Sequence, residues 1–277
     1  MKLRRWVWAG AGLAAVGGAA VLRAKRARAE REIDGLERRL DVTGTGVFDP
    51  AAVASLPGAA RRYLEHAIAP GTPLAARAWL RMHGWIRLQP GGEWQRFRAT
   101  QTLAPLVGFV WWADVDMTPA RVRGADYYVD GQAATRFWAL RLLPIVSGES
   151  ADIALSAAGR LVAETVLVPS TLLPSRGVRW SEDAQGRAVA TLEMHGHDMS
   201  VVLDVDPGGR LRAVTLDRWS ERTPDGQFGW VPFRVVVDEE QTVGGYTVPA
   251  RFSAIWGAGT ARPFEFMRAR VSEVVFT

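Results

Sequence analysis

The sequence predicts a mainly β (α+β) fold. Its core is a curved antiparallel half-barrel of about 10–12 strands with one inserted helix, preceded by short helices and an N-terminal membrane helix. Three observations carry this reading. From Ala78 onward apolar side chains recur at every second residue, the period of a half-buried strand. Turn signals such as Asp130-Gly131, Asp206-Pro207-Gly208-Gly209 and Gly244-Gly245 punctuate that stretch at hairpin spacing. One segment, near residues 149–168, breaks the alternation with helical spacing. An open sheet of that many strands curls, and a helix inserted after the fifth strand is expected on its concave face.

Taken in order, the chain begins with an apolar run. Trp6 to Leu22 are 17 consecutive uncharged residues, fenced by Lys2, Arg4 and Arg5 before and by Arg23, Lys25, Arg26 and Arg28 after. As a helix the run spans roughly 25 Å, against about 30 Å for a hydrocarbon core. Three readings stand open: a single membrane anchor, a cleaved signal peptide, and a helix outside the membrane. Basic residues flank the run on both sides, so the side of the membrane on which the body lies is left open. Arg23–Leu40 continues as a charged helix, either a solvated spacer or a patch on anionic lipid.

The division expected is 1–40 for the anchor and charged juxtamembrane helix, 41–73 for a linker with short helices, and 74–277 for the half-barrel. Asp49-Pro50 reads as an N-cap with proline at the first helical position. A helix from Pro57 to about Ile68 sets Ala60, Leu64, Ala67 and Ile68 on one stripe. Strands follow at 78–88, 93–103, 109–117, 121–129 and 132–140. The inserted helix is capped by Ser147 or Ser150 and stopped by Pro169. Seven further strands run from residue 178 to 276.

Charge and composition narrow the function. The net charge is +5, but residues 1–40 hold ten basic against four acidic side chains, and the remaining 237 hold 24 against 25. The basicity belongs to the N-terminal segment, so no nucleic-acid partner is expected for the body. With no cysteine, thiol nucleophiles, thiolate metal sites and iron–sulfur clusters are excluded. No G-x-G-x-x-G or phosphate loop occurs, Ser150 reads as a helix cap rather than a nucleophile, and no cofactor is expected.

Two constellations could carry chemistry. His195 and His197 are weak candidates for a metal at a hairpin turn. Asp114 and Asp116, two apart on one strand, could serve as paired carboxylates in hydrolysis, or simply face solvent. Glu164 stands on the inserted helix near its apolar side. The strongest signal is aromatic: 12 Trp, ten of them in the body and mostly on strands. Trp79, Trp85, Trp94 and Phe109, with Trp111, Trp112 and Trp138, are the candidate ligand-binding residues for a concave face that either fills itself, holds an apolar guest, or stacks sugars on exposed Trp.

Five motifs occur together: Leu56-Pro57 through Arg61-Arg62-Tyr63-Leu64; Gly108-Phe109-Val110-Trp111; Tyr128-Val129-Asp130-Gly131; Gly159-Arg160-Leu161-Val162-Ala163-Glu164 leading to Leu172-Leu173-Pro174; and Gly244-Gly245-Tyr246-Thr247-Val248-Pro249-Ala250-Arg251. The set resembles a bacterial domain-of-unknown-function family over residues 50–277. That resemblance implies no activity and carries over no catalytic residue. More loosely, the plan looks like the LolA/LolB-like lipoprotein-carrier fold, an open half-barrel over helices that holds acyl chains. The Asp206–Gly209 hairpin and the Gly244–Pro249 strand match that pattern, while the N-terminus departs from it in lacking a lipidation cysteine.

The leading expectation is a membrane-anchored, non-enzymatic module that binds an acyl chain or other apolar ligand in the concave face. A hydrolase of a sugar or lipid-linked substrate using Asp114 and Asp116, and an envelope scaffold that binds protein through an aromatic patch, are the alternatives.

Overall fold

The computed structural model describes residues 2–117, 120–140, 142–194 and 196–277, with side chains described from Gly18 onward. Among the described residues three α-helices, α1 (Lys2–Arg39), α2 (Gly58–Ala67) and α3 (Ala151–Glu164), accompany one continuous sheet. Its first half comprises β1 (Ala78–Ile86), β2 (Gln95–Ala104), β3 (Gly108–Met117), β4 (Ala120–Val129), β5 (Gln132–Ala139) and β6 (Leu143–Gly148). The second comprises β7 (Arg179–Glu182), β8 (Ala188–Met194), β9 (His197–Val205), β10 (Leu211–Ser220), β11 (Gly229–Val243), β12 (Tyr246–Trp256) and β13 (Phe264–Phe276).

Each half is an antiparallel meander, and the two join where the first strand pairs with the last. The order is β6-β5-β4-β3-β2-β1-β13-β12-β11-β10-β9-β8-β7. The two edges of this half-barrel, β6 and β7, are therefore neighbours in sequence but not in the sheet. The chain between them contains α3, which runs across the concave side and packs on β10, β9, β4 and β5. Ser150 caps α3 by accepting from Ile153 N, as its place before the helical stripe predicts. Asp130 (φ 47°) and Gly131 (φ 81°) form the tight β4–β5 hairpin that their tolerance of positive φ allows.

Strand parity decides which side chains face which layer. On β3, Phe109, Trp111, Ala113 and Val115 join the main core under α3, whereas Val110 and Trp112 point to the opposite face. The stripe of α2 (Ala60, Leu64, Ala67, with Ile68 beyond its end) is buried in the main core as expected.

The opposite face is covered by the end of α1. Ile33, Leu36 and Leu40 pack on Val110, Ala125, Tyr127, Val129, Ala134 and Trp138. Thr102 donates to Glu37, Arg136 donates to Glu32 at 3.0 Å, and Arg39 pairs with Asp130. This corrects the expectation of a solvated spacer for the end of Arg23–Leu40: its last two turns carry a stripe at residues 33, 36 and 40 that docks on the sheet. Among the described residues no helix is long and apolar enough to cross a membrane. The expected anchor, Trp6–Leu22, lies largely outside the residues whose side chains are described.

One strand was not expected. The sequence signals place no strand between residue 140 and the helix cap at Ser147 or Ser150, yet β6 pairs with β5 from Leu143↔Ala139 to Gly148↔Thr135. It carries no burial alternation, so its strand character comes from its partner alone.

Candidate functional site

Between α3 and the concave face the core leaves a cavity of about 200 Å³. Much of its wall is apolar, with Met82 and Ile86 from β1, Phe233 from β11, Trp256 from β12, and Val166 and Leu167 from the segment after α3. At one end the wall turns polar, where Gln101, Asp126, Arg160, Glu164 and Arg218 meet.

Each of these reaches the cavity for a local reason. Gln101 shares a β2 face with Phe97, Ala99 and Leu103, all core residues, so it points inward and is 1% exposed. Asp126 shares a β4 face with Val122 and Tyr128, and Arg218 shares a β10 face with Val214 and Leu216. Arg160 and Glu164 are one turn apart on α3 and pair at 2.7 Å. Gln101 bridges them, donating through Nε2 to Glu164 and accepting from Arg160 Nη2 at 3.5 Å. Arg160 Nη1 also lies 3.5 Å from Asp126 Oδ2.

The two guanidinium groups are held over aromatic faces. Arg160 stands 4.3 Å from the Phe109 ring and 5.2 Å from Trp111. Arg218, 7% exposed, stands 4.5 Å from Phe233 and 4.6 Å from Trp256, and donates through Nη2 to Ser156 O at 3.0 Å. Gly159 permits this approach of α3, since a Cβ there would come within 3.1 Å of Arg218 Cγ.

Burial lowers the Arg218 pKa to about 9, with the positive charge of Arg160 acting in the same direction, so the group stays protonated at neutral pH. Burial raises the Asp126 pKa above the ordinary carboxylate value, against the lowering effect of Arg160. Trp111 Nε1 and Arg218 Nε, on two of these residues, are enclosed by the protein without a hydrogen-bond partner, whereas the Thr135 side chain hydrogen-bonds Asp126. A second, more open cavity of about 310 Å³ adjoins the first through Asp126, Arg160 and Arg218, and reaches Phe109 and Phe228.

Of the aromatic residues singled out from the sequence, Trp111 lines the first cavity and Phe109 the second. Trp112 and Trp138 belong to the opposite face, with Trp138 packed against α1. Trp79 and Trp85 stand on the outward parity of β1, under Arg81 and Arg96 respectively, with Trp85 40% exposed. Trp94 lies before β2, between Arg87 at 4.6 Å and Arg268 at 4.7 Å.

Asp114 and Asp116 sit on the outer face, and each carboxylate is paired with its own cross-strand arginine, Arg123 at 3.1 Å and Arg121 at 3.3 Å. Two separately neutralised, half-exposed carboxylates do not form an acid–base pair. His197 is exposed at the β8–β9 hairpin, and His195 lies outside the described residues. Among the described residues no group of three or more His, Asp or Glu could hold a metal ion.

The residues that sequence reading missed are Gln101, Asp126, Arg160 and Arg218. Three of them carried a usable signal: a polar or charged residue on the strand parity otherwise occupied by Phe97 and Leu103, Val122 and Tyr128, or Val214 and Leu216. Arg160 carried none beyond its spacing of four from Glu164.

Residues 46–269 match the model of a family of unknown function, DUF6544, and the chain belongs to that family. A search of curated proteins returns no match. Among solved structures the chain is similar to a LolA superfamily protein from Nitrosomonas europaea (9% identity, TM-score 0.44, covering 79% of this chain and 92% of that one). It is also similar to a putative outer membrane lipoprotein-sorting protein domain from Vibrio parahaemolyticus (10% identity, TM-score 0.37, covering 73% and 86%). A DUF1329 family protein from Desulfovibrio piger has 9% identity and a TM-score of 0.37, covering 73% of this chain and 86% of that one.

Proposed function

We propose that this member of DUF6544 is a non-enzymatic binding module that takes an acyl chain or another apolar ligand into the cavity between α3 and the concave face of its sheet. The observation that carries the reading is the cavity itself. Its volume is about 200 Å³ behind walls that include Met82, Phe233 and Trp256. An engineered apolar cavity of about 150 Å³ in another protein takes up benzene, so this one has room for a ring or a short length of alkyl chain. The aromatic side chains of the half-barrel do not fill it.

The test uses the full chain. Lipid extracted from the purified protein is identified by mass spectrometry, and intrinsic fluorescence is followed during titration with decanoate, because Trp111 and Trp256 line the cavity. Co-purifying lipid or a saturable fluorescence change is expected. The absence of both would overturn the reading.

The same reading places the module at a membrane through Trp6–Leu22. A strip of apolar residues on the β6 edge (Leu143, Ile145 and Val146, each about half exposed) supports it, because Leu22 and Lys25 of α1 border the same edge. Flotation with anionic liposomes should carry the full chain and leave a chain beginning at Arg23 largely behind. Equal flotation of the two would remove the anchor from the proposal.

A further inference from the structure

We propose that the half-barrel docks on an anionic bilayer through one end of its sheet, the end that carries the β1–β2, β5–β6 and β10–β11 hairpins. This rests on the membrane placement read above and adds which surface of the body meets the lipid.

The strand registers put these hairpins at one end. Ile86 pairs with Gln95 at the β1–β2 turn, Ala139 with Leu143 at the β5–β6 turn and Ser220 with Gly229 at the β10–β11 turn, and alternate turns of an antiparallel sheet share an end. Two of the tips touch: Arg222 of the β10–β11 hairpin donates to Leu88 O of the β1–β2 hairpin at 3.3 Å. Large apolar side chains gather here in water. Trp85, Leu88, Leu140, Leu143, Phe228 and Trp230 are 37% to 66% exposed, whereas Leu106, Val243 and Val275 stand at the opposite end. Leu140 carries a second cost, because its φ of 51° lies in the left-handed region that a leucine avoids. Held in that conformation and turned to water, it gains nothing from the protein; contact with lipid would offset both costs.

Two further observations select a bilayer as the occupant. First, α1 runs toward this end. Arg39 pairs with Asp130 in the β4–β5 hairpin at the far end, while Leu22 and Lys25 border Trp138, Leu142 and Pro144 at the β5–β6 turn. The helix therefore leads from the body, past these tips, in the direction of Trp6–Leu22. Second, the outer face beside the tips holds a groove of about 480 Å³ lined by Arg96, Arg98, Arg121 and Arg123. Asp116 and Asp114 pair with Arg121 and Arg123, but among the described residues neither Arg96 nor Arg98 is paired with a carboxylate. Arg96 lies 4.9 Å from the ring of the exposed Trp85. Arginine beside exposed tryptophan suits the level where headgroup phosphate meets hydrocarbon. Two uncompensated cations beside the tips favour phosphate over a second copy bearing the same charges. Docking here would also set the more open cavity against lipid, since that cavity reaches Glu221 and Phe228 of the β10–β11 hairpin. A body already tethered by its anchor needs only a weak surface to stay docked.

The chain has no cysteine, so single introduced thiols report position without background. Leu140→Cys and Phe228→Cys, at the docking end, and Val243→Cys, at the opposite end, are labelled in the full chain with an environment-sensitive fluorophore. Each is mixed with vesicles of equimolar phosphatidylglycerol and phosphatidylcholine that contain a doxyl-labelled lipid as quencher. Strong quenching of the first two labels and little of the third is expected. Arg96→Gln combined with Arg98→Gln should lower the docked-to-undocked ratio read from the Leu140→Cys label about tenfold. If all three labels respond alike while the chain still floats with the vesicles, the docking surface is overturned and the anchor survives. Undiminished quenching on pure phosphatidylcholine, or on the doubly substituted chain, overturns the anionic surface. A shift of the first two labels with protein concentration, in buffer alone, would assign this end to a second copy and also overturn the proposal. If the chain does not float at all, anchor and docking surface fall together.

Discussion

Arg218 offers the sharpest test of whether the polar end of the cavity exists for stability or for a guest. Replacing it by methionine keeps an unbranched stem of similar length and removes the charge. Four contributions then change, one of them electrostatic: the attraction of Asp126 and Glu164 is lost while the repulsion of Arg160 is relieved, two effects that oppose each other. Removing a buried cation relieves a desolvation penalty of several kcal/mol. Against this, the charged hydrogen bond to Ser156 O is lost, worth about 1.5–3 kcal/mol, and so are two ring contacts, each about 0.5–2 kcal/mol. These nearly cancel, so Arg218→Met should unfold within about 2 kcal/mol of the parent. Arg218→Ala also discards the buried stem and leaves a void under Gly159, and should lose about 3–5 kcal/mol. The lowered pKa of about 9 agrees in direction with a charge held at a net cost. Because the group stays protonated between pH 5 and 8, that cost does not vary there. Urea unfolding at neutral pH, with a common m-value checked across the variants, gives the comparison. If the methionine variant falls as far as the alanine variant, the guanidinium is a keystone of the fold and the reasoning is refuted.

Other outcomes follow from the same structure. Gly209, at φ +88° in the β9–β10 turn, faces α2 so closely that an added Cβ would stand 2.4 Å from Arg62 O; Gly209→Ala should cost about 2–4 kcal/mol in urea unfolding, from strain and overpacking together. Ile33→Ala, in the stripe that covers the outer face, should cost about 2–5 kcal/mol by the same measurement. A chain beginning at residue 44 should expose Val110, Tyr127 and Val129 and self-associate in size-exclusion chromatography with light scattering, whereas a chain beginning at Arg23 should stay monodisperse. Burial raises the Asp126 pKa in the folded state, so its contribution to stability is fully present below the unfolded value of about 3.9 and is lost as pH rises through the folded value. Urea midpoints between pH 4 and 7 should therefore move in favour of the parent over Asp126→Asn as pH falls; a difference that is flat with pH would contradict this.

What the sequence determines by itself is everything written in short-range signals. The alternation from Leu80 to Ile86, the Asp130-Gly131 turn, the Ser150 cap and the α2 stripe are each set within a few residues by side-chain direction, backbone freedom and local hydrogen bonding. Parity even marks Gln101, Asp126 and Arg218 as polar residues in apolar positions. Tertiary structure decides what depends on a distant partner. Leu143–Gly148 becomes a strand only because β5 lends it hydrogen bonds, and the two meanders become one sheet only because β1 meets β13. The stripe at 33, 36 and 40 has meaning only once an uncovered apolar face is there to receive it. The cavity belongs to the same class. It opens because α3 must cross from one free edge of the sheet to the other, and a single helix with Arg160 and Glu164 on its inner side does not fill the concavity it spans.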